Sequence, residues 1–132
     1  MQQVTAERGR LKIDMKAFSI GEDVCVILSG GDRPHIGCVT LSIPRASLAQ
    51  PDAGSATTSV LNLTGHKDEE AARFVSHTLS AKLQKNVVVT GGIHVDNMTK
   101  EEINIVMELL AQLTNRLLEN RGQVRPLLEK LV

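Results

Sequence analysis

Aromatic side chains are almost absent from this sequence. Its 132 residues include no tryptophan, no tyrosine and two phenylalanines. Fifteen basic and fifteen acidic residues cancel to a formal net charge of zero. Proteins that bind nucleic acid need a basic surface for the phosphates, and many add aromatic rings on which bases stack. The composition therefore argues against nucleic acid as a partner.

Cysteines and long apolar runs are also scarce. Cys25 and Cys38 are too few for a disulfide framework, and the segment Met1 to Arg10 is polar and unlike a signal peptide. The longest apolar runs are Val24 to Leu28 and Val87 to Val89, far short of the roughly 20 residues that a membrane helix requires. We expect a cytoplasmic protein that does not span a membrane.

Three segments in the first half have the patterns of β-strands. Leu11 to Ala17 alternates apolar and polar residues, which is the period of a half-buried strand. The run Val24 to Leu28 and the segment Ile36 to Ile43 flank a glycine-containing turn, so we predict that they form a hairpin.

Alternation along the second arm of that hairpin predicts which face is buried. Val39, Leu41 and Ile43 share one face and are assigned to the core. The same hairpin makes Cys25 and Cys38 cross-strand neighbours, which leaves open whether they pair. In a reducing cytoplasm we favour two unbonded thiols.

The second half alternates strands and helices. Thr57 to Leu63 and Val87 to Val89 are predicted strands, and Asp68 to Leu83 has apolar residues at helical spacing. Thr99 to Glu102 matches a capping box that opens a second helix, running to about Glu119. The apolar stripe of this helix is wide. Either its core contact is broad, or it meets a second surface from another subunit or from the C-terminal piece.

These elements predict an α+β fold with a single mixed β-sheet of about five strands. A β-meander is followed by β-α-β-α, with two helices packed on one face of the sheet. A right-handed crossover through the first helix makes the fourth and fifth strands parallel, so the sheet is expected to be mixed. We expect one domain over residues 1–132, with a flexible N-terminus at 1–9, a long loop at 44–56 and a C-terminal extension at 122–132.

A short pattern that occurs twice is the most informative chemical feature of the sequence. Leu63 to Lys67 and Val89 to His94 each leave a predicted strand through Thr-Gly, pass a histidine and approach a helix. Both turns lie at carboxyl ends of strands, where open sheets bind ligands, and a phosphate or carboxylate would suit them. Asp96 and Asn97 are turn residues that could orient His94. The simpler alternative is that the glycines permit tight turns and the histidines are solvated.

Catalytic and metal motifs have little support. The sequence has no Gly-x-Ser-x-Gly elbow, no Walker loop and no Gly-x-Gly-x-x-Gly fingerprint. His35 and Cys38 are three residues apart, which on a strand places them on opposite faces. We therefore predict no catalytic residues and no metal site.

The stretch Val60 to Leu118 resembles a known family through Leu63-Thr64-Gly65-His66-Lys67-Asp68 and Val87-Val88-Val89-Thr90-Gly91-Gly92-Ile93-His94-Val95-Asp96-Asn97. It looks like the small D subunit of gallate decarboxylase systems, the prenylated-flavin chaperone-like family, whose fold resembles proteasome assembly chaperones. Cys25 to Ile43 shares the resemblance more loosely.

The resemblance implies a non-catalytic accessory protein that binds prenylated flavin mononucleotide (prenylated FMN) as cargo. It would assist delivery of the flavin to the large subunit of a prenyl-flavin-dependent decarboxylase of the gallate or hydroxybenzoate type, or maturation of that enzyme. A homo-oligomer is the expected assembly. The implied cofactor-binding residues are Thr64, Gly65, His66, Lys67, Thr90, Gly91, Gly92, His94, Asp96 and Asn97.

Two other functions stay open at this point. One is a protein-binding assembly chaperone or adaptor without a small ligand, using the second helix and an apolar strip of Cys25, Ile27, Ile36 and Cys38. The other is a small enzyme with His66 or His94 as general acid or base, which lacks an accompanying nucleophile or metal constellation.

Overall fold

A computed structural model describes residues 1–50, 54–63 and 66–121. In chain order the elements are β1 (Gln2–Arg8), β2 (Leu11–Ile20), β3 (Asp23–Gly31), β4 (Cys38–Ala46), β5 (Gly54–Asn62), α1 (His66–Leu83), β6 (Val87–His94) and α2 (Lys100–Asn120). In the described part of the chain, no helix is long and apolar enough to cross a bilayer.

All six strands form one mixed sheet in the order β1-β2-β3-β6-β4-β5. Only β3 and β6 pair in parallel, and every other neighbouring pair is antiparallel. One face is covered, by α1 over β4, β5 and β6 and by α2 over β1 and β2. The predicted α+β fold, with a mixed sheet and two helices on one face, is confirmed, with six strands in place of about five.

The sixth strand comes from the N-terminus. Residues 1–9, predicted to be flexible, instead contribute β1, which pairs with β2 along its whole length. Val4 is buried in the core, and the guanidinium of Arg116 donates to the carbonyl of Thr5 at 3.0 Å. The segment has too few apolar residues to show the period of a strand, so β2 supplies the ladder that orders it.

The predicted hairpin between the second and third strands is wrong, because β6 lies between β3 and β4. Cys25 is opposite Val88 and Cys38 is opposite Gly91, so the two cysteines are not neighbours and both are free thiols. β3 and β6 contain the most continuous apolar runs, Val24 to Leu28 and Val87 to Val89, and such runs are typical of parallel strands. β5 and β6 run parallel to each other, as predicted, with β4 between them.

The buried face of β4 is the opposite of the predicted one. Cys38, Thr40 and Ser42 are fully buried under α1, whereas Leu41 and Ile43 are 38% and 51% exposed. Polar residues can be buried here because Ser76 of α1 bonds to both hydroxyls, with Oγ distances of 2.9 Å to Thr40 and 2.8 Å to Ser42. Because Cys38 is in the core, the strip of Cys25, Ile27, Ile36 and Cys38 is not one surface.

The expected loop at 44–56 is shorter than predicted. β4 continues to Ala46 and β5 begins at Gly54, with Pro44 opposite Ala56. Residues 51–53 of this loop and the whole C-terminal extension at 122–132 lie outside the described residues.

The wide apolar stripe of α2 is explained by the core of the chain itself. The capping box is present as predicted, with the Thr99 hydroxyl accepting from Glu102 N–H and the Glu102 carboxylate accepting from Thr99 N–H. Leu109 is 2% exposed, and its neighbour Leu110 is fully buried. A second subunit is not required to bury these side chains.

Candidate functional site

Several chain segments meet at one edge of the sheet. The parallel strands β3 and β6 end together, with Gly31 opposite His94. The first residue of β4, Cys38, pairs with Asn62 on one side and Gly91 on the other. The carboxyl ends of β3, β5 and β6 therefore lie at the same edge, where α1 also begins.

The second Thr-Gly-His segment is part of a strand. Thr90, Gly91 and Gly92 lie inside β6, and the Thr90 hydroxyl donates to the Cys38 carbonyl at 3.2 Å. Gly91 has φ +139°, and a Cβ there would lie 1.7 Å from the carbonyl oxygen of Leu28. The predicted turn is wrong at these three residues. Glycine at 91 is needed for the close approach of β3.

His94 is held by a carboxylate at the end of β6. Its Nε2 lies 2.9 Å from Oδ1 of Asp96, which also accepts from the Arg33 guanidinium at 2.9 Å. These bonds, that from His94 first, lower the pKa of Asp96 below its ordinary value. Asp96 N–H in turn donates to Asp32 after β3. The imidazole of His94 is therefore oriented by the carboxylate that the spacing suggested.

Asn97 has a backbone role in the same turn. Its φ is +54°, a conformation that asparagine tolerates better than most residues. Its carbonyl accepts from the Arg10 guanidinium at 3.4 Å, and the residue is exposed. Arg10 also binds both carboxylate oxygens of Glu102.

A second histidine, His35, lies beside His94. Their ring centroids are 6.4 Å apart at an interplanar angle of 75°. His35 Nε2 is 2.9 Å from Oδ2 of Asp68, and its Nδ1 is 3.0 Å from the Arg33 carbonyl oxygen. The two rings and Arg33 line a shallow depression on the surface.

Asp68 is nearly buried and joins several elements. Its Oδ1 accepts from the backbone N–H of Ile93 at 2.9 Å, and its carbonyl oxygen lies 3.3 Å from the Cys38 sulfur. Burial raises the pKa of the Cys38 thiol, which makes this cysteine a poor nucleophile. A small cavity of about 40 Å³ lies beside Asp68 and Ile93, with Met98 and Met107 among its apolar walls.

Sequence reasoning missed His35, Arg33 and the bonding role of Asp68. The sequence suggests His35 only as a metal ligand with Cys38, and Asp68 only as the first residue of a predicted helix. The structure shows why residue 92 is glycine, since a Cβ there would lie 2.7 Å from His35 Nε2. Among the other predicted residues, Thr64 and Gly65 lie outside the described part of the chain, as do the side chains of His66 and Lys67.

Comparison with known proteins gives consistent matches. A family model described as the prenylated flavin chaperone LpdD-like domain matches residues 7–121. Protein LpdD of Lactiplantibacillus plantarum is 25% identical over 126 residues, covering 89% of this chain and 83% of the relative. The crystal structure of a novel chaperone complex for yeast 20S proteasome assembly contains a chain with a TM-score of 0.54 and 14% identity, covering 91% and 98% of the two chains. At that identity the likeness concerns the fold alone.

Proposed function

Because this chain belongs to the prenylated flavin chaperone LpdD-like family, we propose that it is a non-catalytic accessory protein that binds prenylated FMN. It carries the flavin to a prenyl-flavin-dependent decarboxylase of the gallate or hydroxybenzoate type, or assists the maturation of that enzyme. The large subunit of the decarboxylase is the proposed partner, and the cytoplasm the proposed location.

The observation that supports this function best is the gathering of His35, His94 and Arg33 at the carboxyl edge of β3 and β6. A flavin mononucleotide presents a phosphate, a planar ring system with polar edges and, when prenylated, additional hydrocarbon. Donors such as Arg33 and His94 suit the anionic and polar parts. Flat imidazole rings offer stacking surfaces in a chain that has no tryptophan or tyrosine.

The hydrocarbon part of the ligand also has a matching environment nearby. The cavity beside Asp68 and Ile93 has mainly apolar walls that include two methionines. Methionine side chains adapt to irregular shapes. These apolar walls support a ligand that carries hydrocarbon as well as polar groups.

We assign the flavin to this edge through Arg33, His94, Asp96 and Asn97, and keep Thr90, Gly91 and Gly92 of β6 as predicted ligands. Asp96 orients His94 and Arg33, and Gly92 leaves room for the ring of His35. Thr64, Gly65, His66 and Lys67 stay predicted ligands from the first Thr-Gly-His segment.

An anaerobic titration with prenylated FMN, run beside plain FMN and followed by absorbance and calorimetry, tests this proposal. We expect saturable binding of the prenylated form and much weaker binding of the plain form. Delivery is then tested by adding the loaded protein to an apo-decarboxylase and measuring flavin transfer, with free prenylated FMN as the control. Binding of neither flavin would contradict the proposal.

One observation favours a second candidate, a protein-binding adaptor without a small ligand. Within residues 1–50, 54–63 and 66–121, both helices lie on one face of the sheet, and the other face is open. Ile27, Leu41 and Ile43 are 41%, 38% and 51% exposed there. Apolar patches of this kind are frequent sites of protein association. Partner binding that persists without flavin would support this candidate.

A further inference from the structure

His35 stands where three chain segments meet. It belongs to the connection between β3 and β4, its Nε2 contacts Asp68 in the first turn of α1, and its ring lies against Gly92 of β6. The side chain is 32% exposed and that of Asp68 is 9% exposed. One imidazole therefore bridges a loop, a helix and a strand at the proposed flavin edge.

Both ring nitrogens of His35 face oxygen atoms that only accept hydrogen bonds. Nδ1 is 3.0 Å from the carbonyl oxygen of Arg33, and Nε2 is 2.9 Å from the carboxylate of Asp68. A neutral imidazole has one N–H, so either tautomer leaves a nitrogen lone pair pointing at an oxygen. Only the protonated imidazolium donates to both partners.

Asp68 also connects His35 to β6. While Oδ2 bonds to His35, Oδ1 accepts from the backbone N–H of Ile93, the residue immediately before His94. We call His35, Asp68 and the Ile93 amide the clasp. It fixes the end of β6, and with it the start of the turn that carries His94 and Asp96.

We propose that His35 is a positioning residue for the flavin site, and that the clasp holds this site in its binding geometry only while His35 is protonated. The inference rests on the proposed function. It adds a regulation by pH, in which a rise in pH releases the ligand and a fall in pH favours loading.

The groups around His35 favour its protonated form. The Arg33 carbonyl and then Asp68 raise the pKa of His35 above its ordinary value of 6.5, against the opposing effect of burial. Among the described residues, Asp68 faces the ring from α1, His94 from β6 and Arg33 from its own loop, and Arg33 is turned to Asp96. A raised pKa means that the clasp is complete below 6.5 and is lost as the pH rises through the folded-state value.

The test compares anaerobic titrations of prenylated FMN at about pH 6 and about pH 8.5 for the unmodified chain, His35→Gln and the control His77→Gln. His77 is an exposed histidine on the same helix as Asp68. As the pH rises, the affinity of the unmodified chain and of the control should fall about tenfold more than the affinity of His35→Gln. A factor of about ten is expected for the loss of one charged hydrogen bond. Ionisation of the flavin phosphate affects all three proteins equally. The ratio of the affinities at the two pH values, compared between the proteins, therefore reports on His35.

A nuclear magnetic resonance titration of the imidazole signals in the ligand-free protein tests the clasp independently of any flavin. We expect the His35 signals to titrate above 6.5 and the Ile93 amide to shift with them. A His35 pKa below 6.5, or the same fall in affinity with pH in all three proteins, would overturn the clasp. If the unmodified chain binds no prenylated FMN at either pH, the proposed function fails, and the imidazole titration still decides whether the clasp exists.

Discussion

Of the two histidines that line the depression, His94 leaves more room for a ligand than His35 does. Its Nε2 is bonded to Asp96, and the side chain is 45% exposed. In contrast, both ring nitrogens of His35 are engaged within the protein. At the residue scale, we therefore propose His94 as the direct ligand contact and His35 as its support.

Replacing His94 by alanine should weaken prenylated FMN binding by about 1–3 kcal/mol, the range for losing one or two hydrogen bonds. Folding should be unaffected because the side chain is partly exposed at the sheet edge. Calorimetric titration measures the affinity, and His77→Ala is the matched control. Equal affinity in both variants would remove His94 from the site.

Glu102 should make folding sensitive to acid. Its bidentate bonds to Arg10, and then the bond from the Thr99 N–H, lower its pKa from 4.5 to about 2. A lowered pKa means that the carboxylate stabilises the fold fully above pH 4.5 and loses this effect as the pH falls through about 2. Urea unfolding of the unmodified protein and Glu102→Gln should show a stability difference at pH 7 that shrinks steadily toward pH 2. A difference independent of pH would contradict this assignment.

At the scale of elements, the joint between β3 and β6 decides the geometry of the edge. Gly91 permits this joint, because a Cβ there would overlap the Leu28 carbonyl at 1.7 Å and the φ of +139° is unfavourable for other residues. The joint also places His94 opposite Gly31. Local backbone packing thus sets where the candidate ligand residues lie.

Gly91→Ala should destabilise the protein by more than about 3 kcal/mol, because backbone must move to admit the methyl group. Gly9→Ala is the matched control: its φ is also positive, at +58°, but no atom lies within 4 Å of the added Cβ. The control should lose about 1 kcal/mol from backbone strain alone. Urea unfolding monitored by circular dichroism gives both values. Similar losses of stability in the two variants would show that β3 does not pack against Gly91 as closely as the 1.7 Å distance indicates.

At the scale of the whole molecule, the two faces of the sheet differ in what covers them. One face is sealed by α1 and α2, and α2 buries Leu109 within the chain. The other face exposes Leu41 and Ile43 on β4, the strand next to the edge strand β5. A carrier must bind its cargo and also contact the enzyme that receives it, and the edge and the open face provide two separate surfaces.

Leu41→Glu should therefore reduce association with the partner decarboxylase while leaving flavin affinity within about twofold, because the side chain is exposed on the open face and does not line the depression of Arg33, His35 and His94. His94→Ala should have the opposite effects. A pull-down with the decarboxylase and a flavin titration on both variants separate the two surfaces. Loss of flavin binding in Leu41→Glu, with folding intact, would show that the surfaces are not separate. Leu109→Glu should instead unfold the chain, since it buries a charge in the core.

Local patterns in the sequence were sufficient for several features. Helix spacing, the Thr99 capping box, the α+β class and the family resemblance were all predicted from the sequence and are confirmed. These features depend on residues close together in the chain, whose hydrogen-bonding and periodicity requirements hold wherever the segment is placed. The placement of His94 beside Asp96 belongs to the same class, because the two residues are separated by one position.

Only the tertiary structure decided the insertion of β6 between β3 and β4, the buried face of β4 and the position of His35. Each depends on partners distant in the chain: Val88 for Cys25, Ser76 for Thr40, and Asp68 for His35. A sequence shows which side chains can bury a hydroxyl or hold a proton, but the partner that makes either favourable is chosen by strand order and by packing. For this protein, the local sequence determines which chemical groups are available at the edge. Pairing of strands that are distant in the chain brings these groups together into one site.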